Sequence, residues 1–223
     1  MKTTLATLAV VSVAIPALAQ DTPQPIPKAE WPKKAVCIVC AGLGDFHGEE
    51  APVGGVRYKG KAYFFCAPNE GKEFLKDPDG YLPPVLPRPA PALNVTDLAG
   101  KPVSLADYRG KIVLLDFWAT WCKPCVAGMP GLDKLAARWK DKDIVVLGIS
   151  IDQEPKKVAP FLKKKPVSYP IVLDNPKTPS YATFKVKVLP SMFLIDKDGN
   201  IVAQWRGETK PAEIEKALAK LAP

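Results

Sequence analysis

Lys111-Ile112-Val113-Leu114-Leu115-Asp116-Phe117-Trp118-Ala119-Thr120-Trp121-Cys122-Lys123-Pro124-Cys125 is the stretch on which the fold of this chain turns. Its first half is an apolar run that predicts a buried strand over Ile112–Trp118. Its second half carries two cysteines separated by two residues. The residues that follow, to about Trp139, read as an amphipathic helix. Strand, C-x-x-C and helix in that order predict a redox dithiol. The start of a helix leaves backbone N–H groups unbonded and favours negative charge. A thiolate rather than a thiol attacks disulfides, so the chemistry named here is thiol–disulfide exchange. Cys122, at the expected helix start with Lys123 beside it, is the expected attacker. Pro124 is tolerated because it falls in the first helical turn. Cys125, one turn further in, is the expected resolving thiol and the more buried of the two.

Outward from this stretch the texture is α/β. Strands are expected at Ile112–Trp118, Ile144–Ile151, Pro170–Leu173, Ser191–Ile195 and Ile201–Trp205. Helices are expected at Lys123–Trp139, Pro155–Lys164 and Pro211–Leu221. Asp196-Lys197-Asp198-Gly199-Asn200 reads as a hairpin turn. Strand–helix–strand–helix, then a hairpin and a last helix, predicts a central mixed sheet flanked by helices.

The chain has 223 residues, enough for one good core and a small second unit. Residues 1–19 read as a signal peptide. Met1-Lys2-Thr3-Thr4 is a short basic region, Leu5 to Ile15 an apolar one, and Ala17-Leu18-Ala19 a cleavage site. Export, to a bacterial periplasm above all, places the cysteines where thiols oxidise, so a reductant there needs an external electron donor. The formal net charge is +8, but the lysines are dispersed and Lys163-Lys164-Lys165 looks like a solvated helix end. No basic stripe interleaves with aromatics, so a nucleic-acid partner is not expected. A polar lead spans 20–33 and a cysteine-bearing unit 34–82. A linker at 83–91 has five prolines in nine residues and should be extended and semi-rigid. The α/β domain then occupies 92–223.

With these residues in view, 91–221 resembles the thioredoxin superfamily, and within it the exported TlpA/ResA-like thiol-disulfide oxidoreductases. The likeness rests on Trp121-Cys122-Lys123-Pro124-Cys125, on the lead-in from Gly100 to Lys111, and on Val188-Leu189-Pro190-Ser191-Met192-Phe193-Leu194-Ile195-Asp196. It implies a thioredoxin-like fold and a cis Pro190 beside the dithiol, presenting backbone to the substrate chain. Trp121, Lys123, Pro124 and Leu189 are then the expected substrate contacts. It also implies the reducing direction, with protein disulfides as substrates, a membrane thiol-disulfide electron donor as partner, and cytochrome c or copper-centre cysteines as targets.

Asp116 stands alone in an apolar strand, where a carboxylate is costly without a function or a partner. Thioredoxin carries a buried Asp at the matching place. The TlpA/ResA-like group more often has a Glu three residues after the second cysteine, where this chain has Gly128. Asp116 is therefore the expected general base for Cys125. A peroxiredoxin would need Thr and Pro where Ala119 and Leu115 stand. A Sco-type copper protein would need another cysteine spacing and a nearby histidine, whereas the chain's one histidine is His47.

The small unit carries a second C-x-x-C, Cys37-Ile38-Val39-Cys40, and Cys66 after the hairpin-like run Val56–Phe65. A helix is expected at about Glu70–Lys76. A unit of this size needs a staple. Tyr58 to Cys66 and Phe74-Leu75-Lys76-Asp77-Pro78 resemble the YHS/TRASH-like metal-binding modules, which implies zinc or copper on Cys37, Cys40 and Cys66. Many members carry a fourth Cys where Glu70 stands, so Glu70, Asp45 or His47 would complete the set. A structural disulfide among the three cysteines, or redox relay to Cys122 and Cys125, are the alternatives. The expected function is an exported protein-disulfide oxidoreductase that needs no cofactor for its dithiol. The alternative is a metal-binding protein or chaperone on the same scaffold.

Overall fold

The computed structural model describes residues 22–221, so the expected signal segment lies outside the described residues. Two compact units are present. One takes the residues up to Val39 together with Gly48–Pro78; the other takes Cys40–His47 and the chain from Asp79 onward.

In the smaller unit, strands β1 (Gln24–Pro25), β4 (Gly54–Tyr58) and β5 (Lys61–Phe65) form one antiparallel sheet, and β2 (Ala35–Val36) pairs with β3 (Glu49–Glu50). Helix α1 (Ile38–Gly42) follows β2 and runs across the first boundary of this unit, α2 (Glu70–Lys76) lies within it, and α3 (Pro78–Tyr81) starts at its last residue. The β4–β5 turn is Lys59-Gly60, both with positive φ (49° and 74°), the two-residue geometry that matches strand twist. Phe74 is fully buried against Tyr58, Tyr63 and Phe65. The polar lead is not a separate tail. Gln24–Pro25 pairs with β4, Ile26 is buried, and the Trp31 indole donates to the Ile26 carbonyl at 2.9 Å.

The larger unit is built on eight strands in the order β6-β13-β12-β9-β10-β11-β7-β8. They are β6 (Arg88–Pro89), β7 (Val95–Asp97), β8 (Pro102–Val103), β9 (Ile112–Trp118), β10 (Ile144–Ser150), β11 (Ile171–Asp174), β12 (Ser191–Ile195) and β13 (Asn200–Arg206). The central β9, β10 and β11 are parallel; β12 runs antiparallel to β9, as does β13 to β12. The helices are α4 (Lys123–Trp139), α5 (Val158–Lys164), α6 (Ser180–Thr183) and α7 (Pro211–Leu218). This is the thioredoxin-like fold.

All seven residues of β9 are buried, as a central parallel strand covered on both faces requires. Alternate residues serve opposite layers. Ile112, Leu114 and Trp118 pack with Met129, Leu132 and Leu135 of α4, with Val158 of α5 and with Ile214 and Leu218 of α7. Val113, Leu115 and Phe117 pack with Phe184, Phe193 and Ile195, and Leu105 and Tyr108 join that layer. Sequence periodicity missed the short strands β6, β7 and β8, of which β6 and β8 are the two edges of the sheet. Part of the expected linker is one of them: Arg88–Pro89 pairs with β13, so the proline-rich segment adds an edge to the sheet. Proline fits there because an edge strand leaves one side of its backbone unpaired. The expected helix from Pro155 begins as a 3-10 turn over Pro155–Lys157, and the last helix ends at Leu218.

Candidate active site

Cys122 is the N-cap of α4 and is disulfide-bonded to Cys125. Its sulfur accepts a hydrogen bond from the Cys125 backbone N–H at 3.3 Å, so the helix start does direct an N–H at this sulfur. Both cysteines are buried, at 5% and 3% exposure, so burial barely separates them. What separates them is what they face.

Cys122 lines an open groove of about 530 Å³. Trp121, Lys123, Pro124 and Leu189, the four expected contact residues, line it as well, and Tyr181 and Val186 form part of its wall. Trp121 is 65% exposed, unusual for so large an apolar side chain. Trp118, three residues earlier, is fully buried. The Leu189–Pro190 peptide bond is cis, and so is Leu86–Pro87 in the linker.

Cys125 lines a different cavity, of about 310 Å³, with Asp116, Gly128, Leu132, Pro190 and Met192. Asp116 arrives there by strand parity. It lies between Leu114 and Trp118 on the α4 side of β9, opposite Met192 of β12. It is 1% exposed, and its Oδ1 has no hydrogen-bond partner among the described residues. Burial pushes its pKa up to about 7. The Tyr169 phenol is raised as well, first by burial, then by the negative charges of Asp116 and Asp133, which places Tyr169 in the electrostatic neighbourhood of Asp116. A Cβ added at Gly128 would meet nothing within 4 Å, so the helix wall of this cavity is open at that position.

Sequence reasoning missed a support beneath the groove. The loop from β9 to Cys122 is pinned to the end of β10 by Asp152, which is buried. Its carboxylate accepts from the Thr120 N–H at 2.9 Å, the Thr120 hydroxyl at 2.6 Å and the Ser150 hydroxyl at 2.8 Å. The signal was available: two polar residues, Ser150 and Asp152, just after an apolar strand. Nothing in the spacing tells that Asp152 reaches Thr120, 32 residues away.

In the other part of the chain, Cys37, Cys40, Cys66 and Glu70 come together, with one candidate ligand atom of each lying within 4.8 Å of all the others. Of the three acids or bases that could join the cysteines, Glu70 is the one that does; Asp45 and His47 are exposed and outside this group.

Comparison with known proteins agrees with this geometry. A profile of the AhpC/TSA family matches residues 86–204, more than half of the chain. Thiol-disulfide oxidoreductase ResA of Bacillus thuringiensis subsp. konkukian is 37% identical over 134 residues, which is 60% of this chain and 77% of that protein. A crystal structure from Chlorobium tepidum, assigned as thiol:disulfide interchange protein DsbE, superposes with TM-score 0.56 at 30% identity, over 61% of this chain and 97% of that one. The thioredoxin domain of a thiol-disulfide oxidoreductase from Bacteroides vulgatus gives TM-score 0.55 at 30% identity, over 60% and 99%. With a C-x-x-C at the head of α4, a cis-proline loop and these relatives, the chain belongs to the AhpC/TSA family as a thiol-disulfide oxidoreductase of the ResA type.

Proposed function

We propose that the chain is an exported reductase of protein disulfides in which Cys122 attacks, Cys125 resolves and Asp116 moves the proton between them. The observation that carries this is the division of the dithiol between two spaces. Cys122 opens on the substrate groove, and Cys125 shares a separate cavity with a carboxyl of pKa about 7.

In the reduced enzyme, the Cys122 thiolate attacks one sulfur of a substrate disulfide. That S–S bond breaks, the leaving sulfur departs as a thiolate and takes a proton, and a mixed disulfide forms on Cys122. Cys125 then gives its proton to the Asp116 carboxylate and attacks Cys122. The second substrate sulfur leaves as a thiolate. Two electrons have passed to the substrate, and the enzyme holds the Cys122–Cys125 disulfide, the state of this structure. A donor dithiol must reduce it for the next turn, and outside the cytosol that donor is a membrane protein with a thiol pair. Pro190, cis and lining the Cys125 cavity, follows Leu189 at the groove, so this loop is the backbone against which a substrate strand pairs. Kinship with thiol-disulfide oxidoreductases supports protein disulfides as substrates; the reducing direction, and cytochrome c or copper-centre cysteines as targets, follow from the resemblance to the TlpA/ResA-like group.

The test is reduction of insulin by dithiothreitol. The wild type should accelerate it and Cys122→Ser should not. If both are inert while the protein holds copper tightly, the reading of a metal carrier on this scaffold replaces the enzyme. Secretion of the mature chain, with cleavage after Ala19, is checked by N-terminal sequencing of periplasmic protein.

A further inference from the structure

We propose that Cys37, Cys40, Cys66 and Glu70 bind one zinc ion, with Glu70 as a ligand in its own right. Three of the four belong to the smaller unit. Cys40 lies in the first turn of α1, three residues after Cys37, which immediately precedes that helix, so its position follows from that of Cys37. The ligand atoms of all four lie within 4.8 Å of one another.

The spacing can be set against a tetrahedral zinc. Zinc–sulfur bonds of about 2.3 Å and a zinc–oxygen bond of about 2.0 Å put two sulfurs about 3.8 Å apart and a sulfur and an oxygen about 3.5 Å apart. The Cys37 sulfur lies 3.2 Å from Glu70 Oε2, and the Cys66 sulfur 3.5 Å from Glu70 Oε1. The edge from the Cys66 sulfur to Oε1 is thus already at its bound length, and the Cys37 sulfur lies against the other oxygen of the same carboxylate. Any gap approaching 4.8 Å between sulfurs closes by a shift of about 1 Å, within the reach of a cysteine χ1 rotation.

Glu70 itself is aimed. It opens α2 and is buried, and its Oε2 accepts the backbone N–H groups of Ala67 at 2.7 Å and Cys66 at 2.9 Å. Those two bonds fix the carboxylate plane and turn Oε1 toward the Cys66 sulfur, the outer support that ligating carboxylates usually have. A disulfide between two of these cysteines would gain nothing from a buried carboxylate against the sulfurs. A divalent cation does, because it neutralises charge that would otherwise repel. Three thiolates and an oxygen suit zinc; copper(I), the softer ion, is content with sulfur alone. Binding expels up to three thiol protons, so affinity rises with pH. The smaller unit has a slight core, and an ion of this kind supplies folding energy to such units.

The test uses the full-length protein purified under reducing conditions. One equivalent of zinc should bind in competition with a chromophoric chelator. Cobalt(II) alone should give thiolate charge-transfer bands and the d–d intensity of a tetrahedral site. Cys37→Ser and Cys66→Ser should each weaken zinc by ~100-fold or more. Cys122→Ser/Cys125→Ser should bind as the wild type does, since those thiols are not among the four ligands. Glu70→Gln keeps an acceptor for the two N–H groups, so it tests ligation rather than folding; it should weaken zinc and shift the cobalt d–d bands. An unchanged cobalt spectrum in Glu70→Gln removes Glu70 from the site. The whole proposal is overturned if the reduced wild type binds no stoichiometric zinc, or if zinc is lost with the Cys122/Cys125 pair. A disulfide among Cys37, Cys40 and Cys66 that persists under reductant in the presence of zinc overturns it as well. Insulin reduction, read on the same samples, reports the dithiol separately.

Discussion

Asp116 is held where its ionisation is costly and useful at once. With Oδ1 unpartnered and burial raising its pKa to about 7, it is poised between accepting and giving a proton near neutral pH. The rate at which Cys125 releases a mixed disulfide from Cys122 should rise as pH passes through about 7 and then level. Asp116→Asn should slow that step by ~100-fold and flatten the profile. Stopped-flow release of a fluorescent peptide from the mixed disulfide measures both, and an unaltered rate in the variant removes Asp116 from the mechanism. Gly128 offers a second probe, because a Cβ there meets open space. Asp116→Asn/Gly128→Glu places a carboxyl on the helix wall of the same cavity and should restore part of the lost rate. It should also favour α4, since glycine inside a helix costs ~1 kcal/mol.

At the level of elements, β9 and α4 were legible from sequence to the residue, and so were β12 and α2. The reason is physical. Ile112–Trp118 is a run that both sheet faces bury, and α4 alternates around the buried Cys125, Met129, Leu132 and Leu135. The strands β6, β7 and β8 were not legible. Two or three residues long and including Pro89 and Pro102, they owe their state to the neighbour they pair with rather than to their own pattern. The site divides in the same way. The dithiol and Asp116 stood out as departures from local texture, and Pro190 was marked by the resemblance alone. Asp152 did not, because its importance lies in a contact with Thr120 across 32 residues. Asp152→Ala should strip acceptors from the Thr120 and Ser150 groups, at a cost of about 1–3 kcal/mol. Loosened from β10, the loop bearing Trp121 should gain mobility in time-resolved indole anisotropy. KM for a peptide disulfide should rise more than kcat falls, and rescue by Asp152→Asn should be partial. A KM left at the wild-type value would confine Asp152 to stability.

For the whole molecule, the same buried carboxyl sets a pH dependence of stability. Unfolded, Asp116 ionises near its ordinary value of 3.8; folded, near 7. Between those values the folded protein holds a proton that the unfolded chain has lost. Stability therefore falls as pH rises from about 4 to about 7 and is level above. The full penalty is ~4 kcal/mol. Asp116→Asn carries no such penalty. Its denaturant midpoint should match the wild type at pH 4 and exceed it at pH 8, with the oxidised forms compared throughout. Equal midpoints at pH 8 would show that the carboxyl is not destabilised by burial. Zinc would act on the smaller unit, through ligands outside this cavity, so its effect on the midpoint should be independent of this substitution.

The hollow behind Cys125, about 310 Å³ and walled by Leu132, Met192 and Pro190, is the size of a small drug fragment. A compound lodged there against Asp116 would leave the groove open. The first exchange would run and the second would stall. What accumulates is the enzyme covalently tethered to whatever it was reducing, so the inhibitor would serve as a fishing line, and mass spectrometry of the adducts from living cells would name the natural targets.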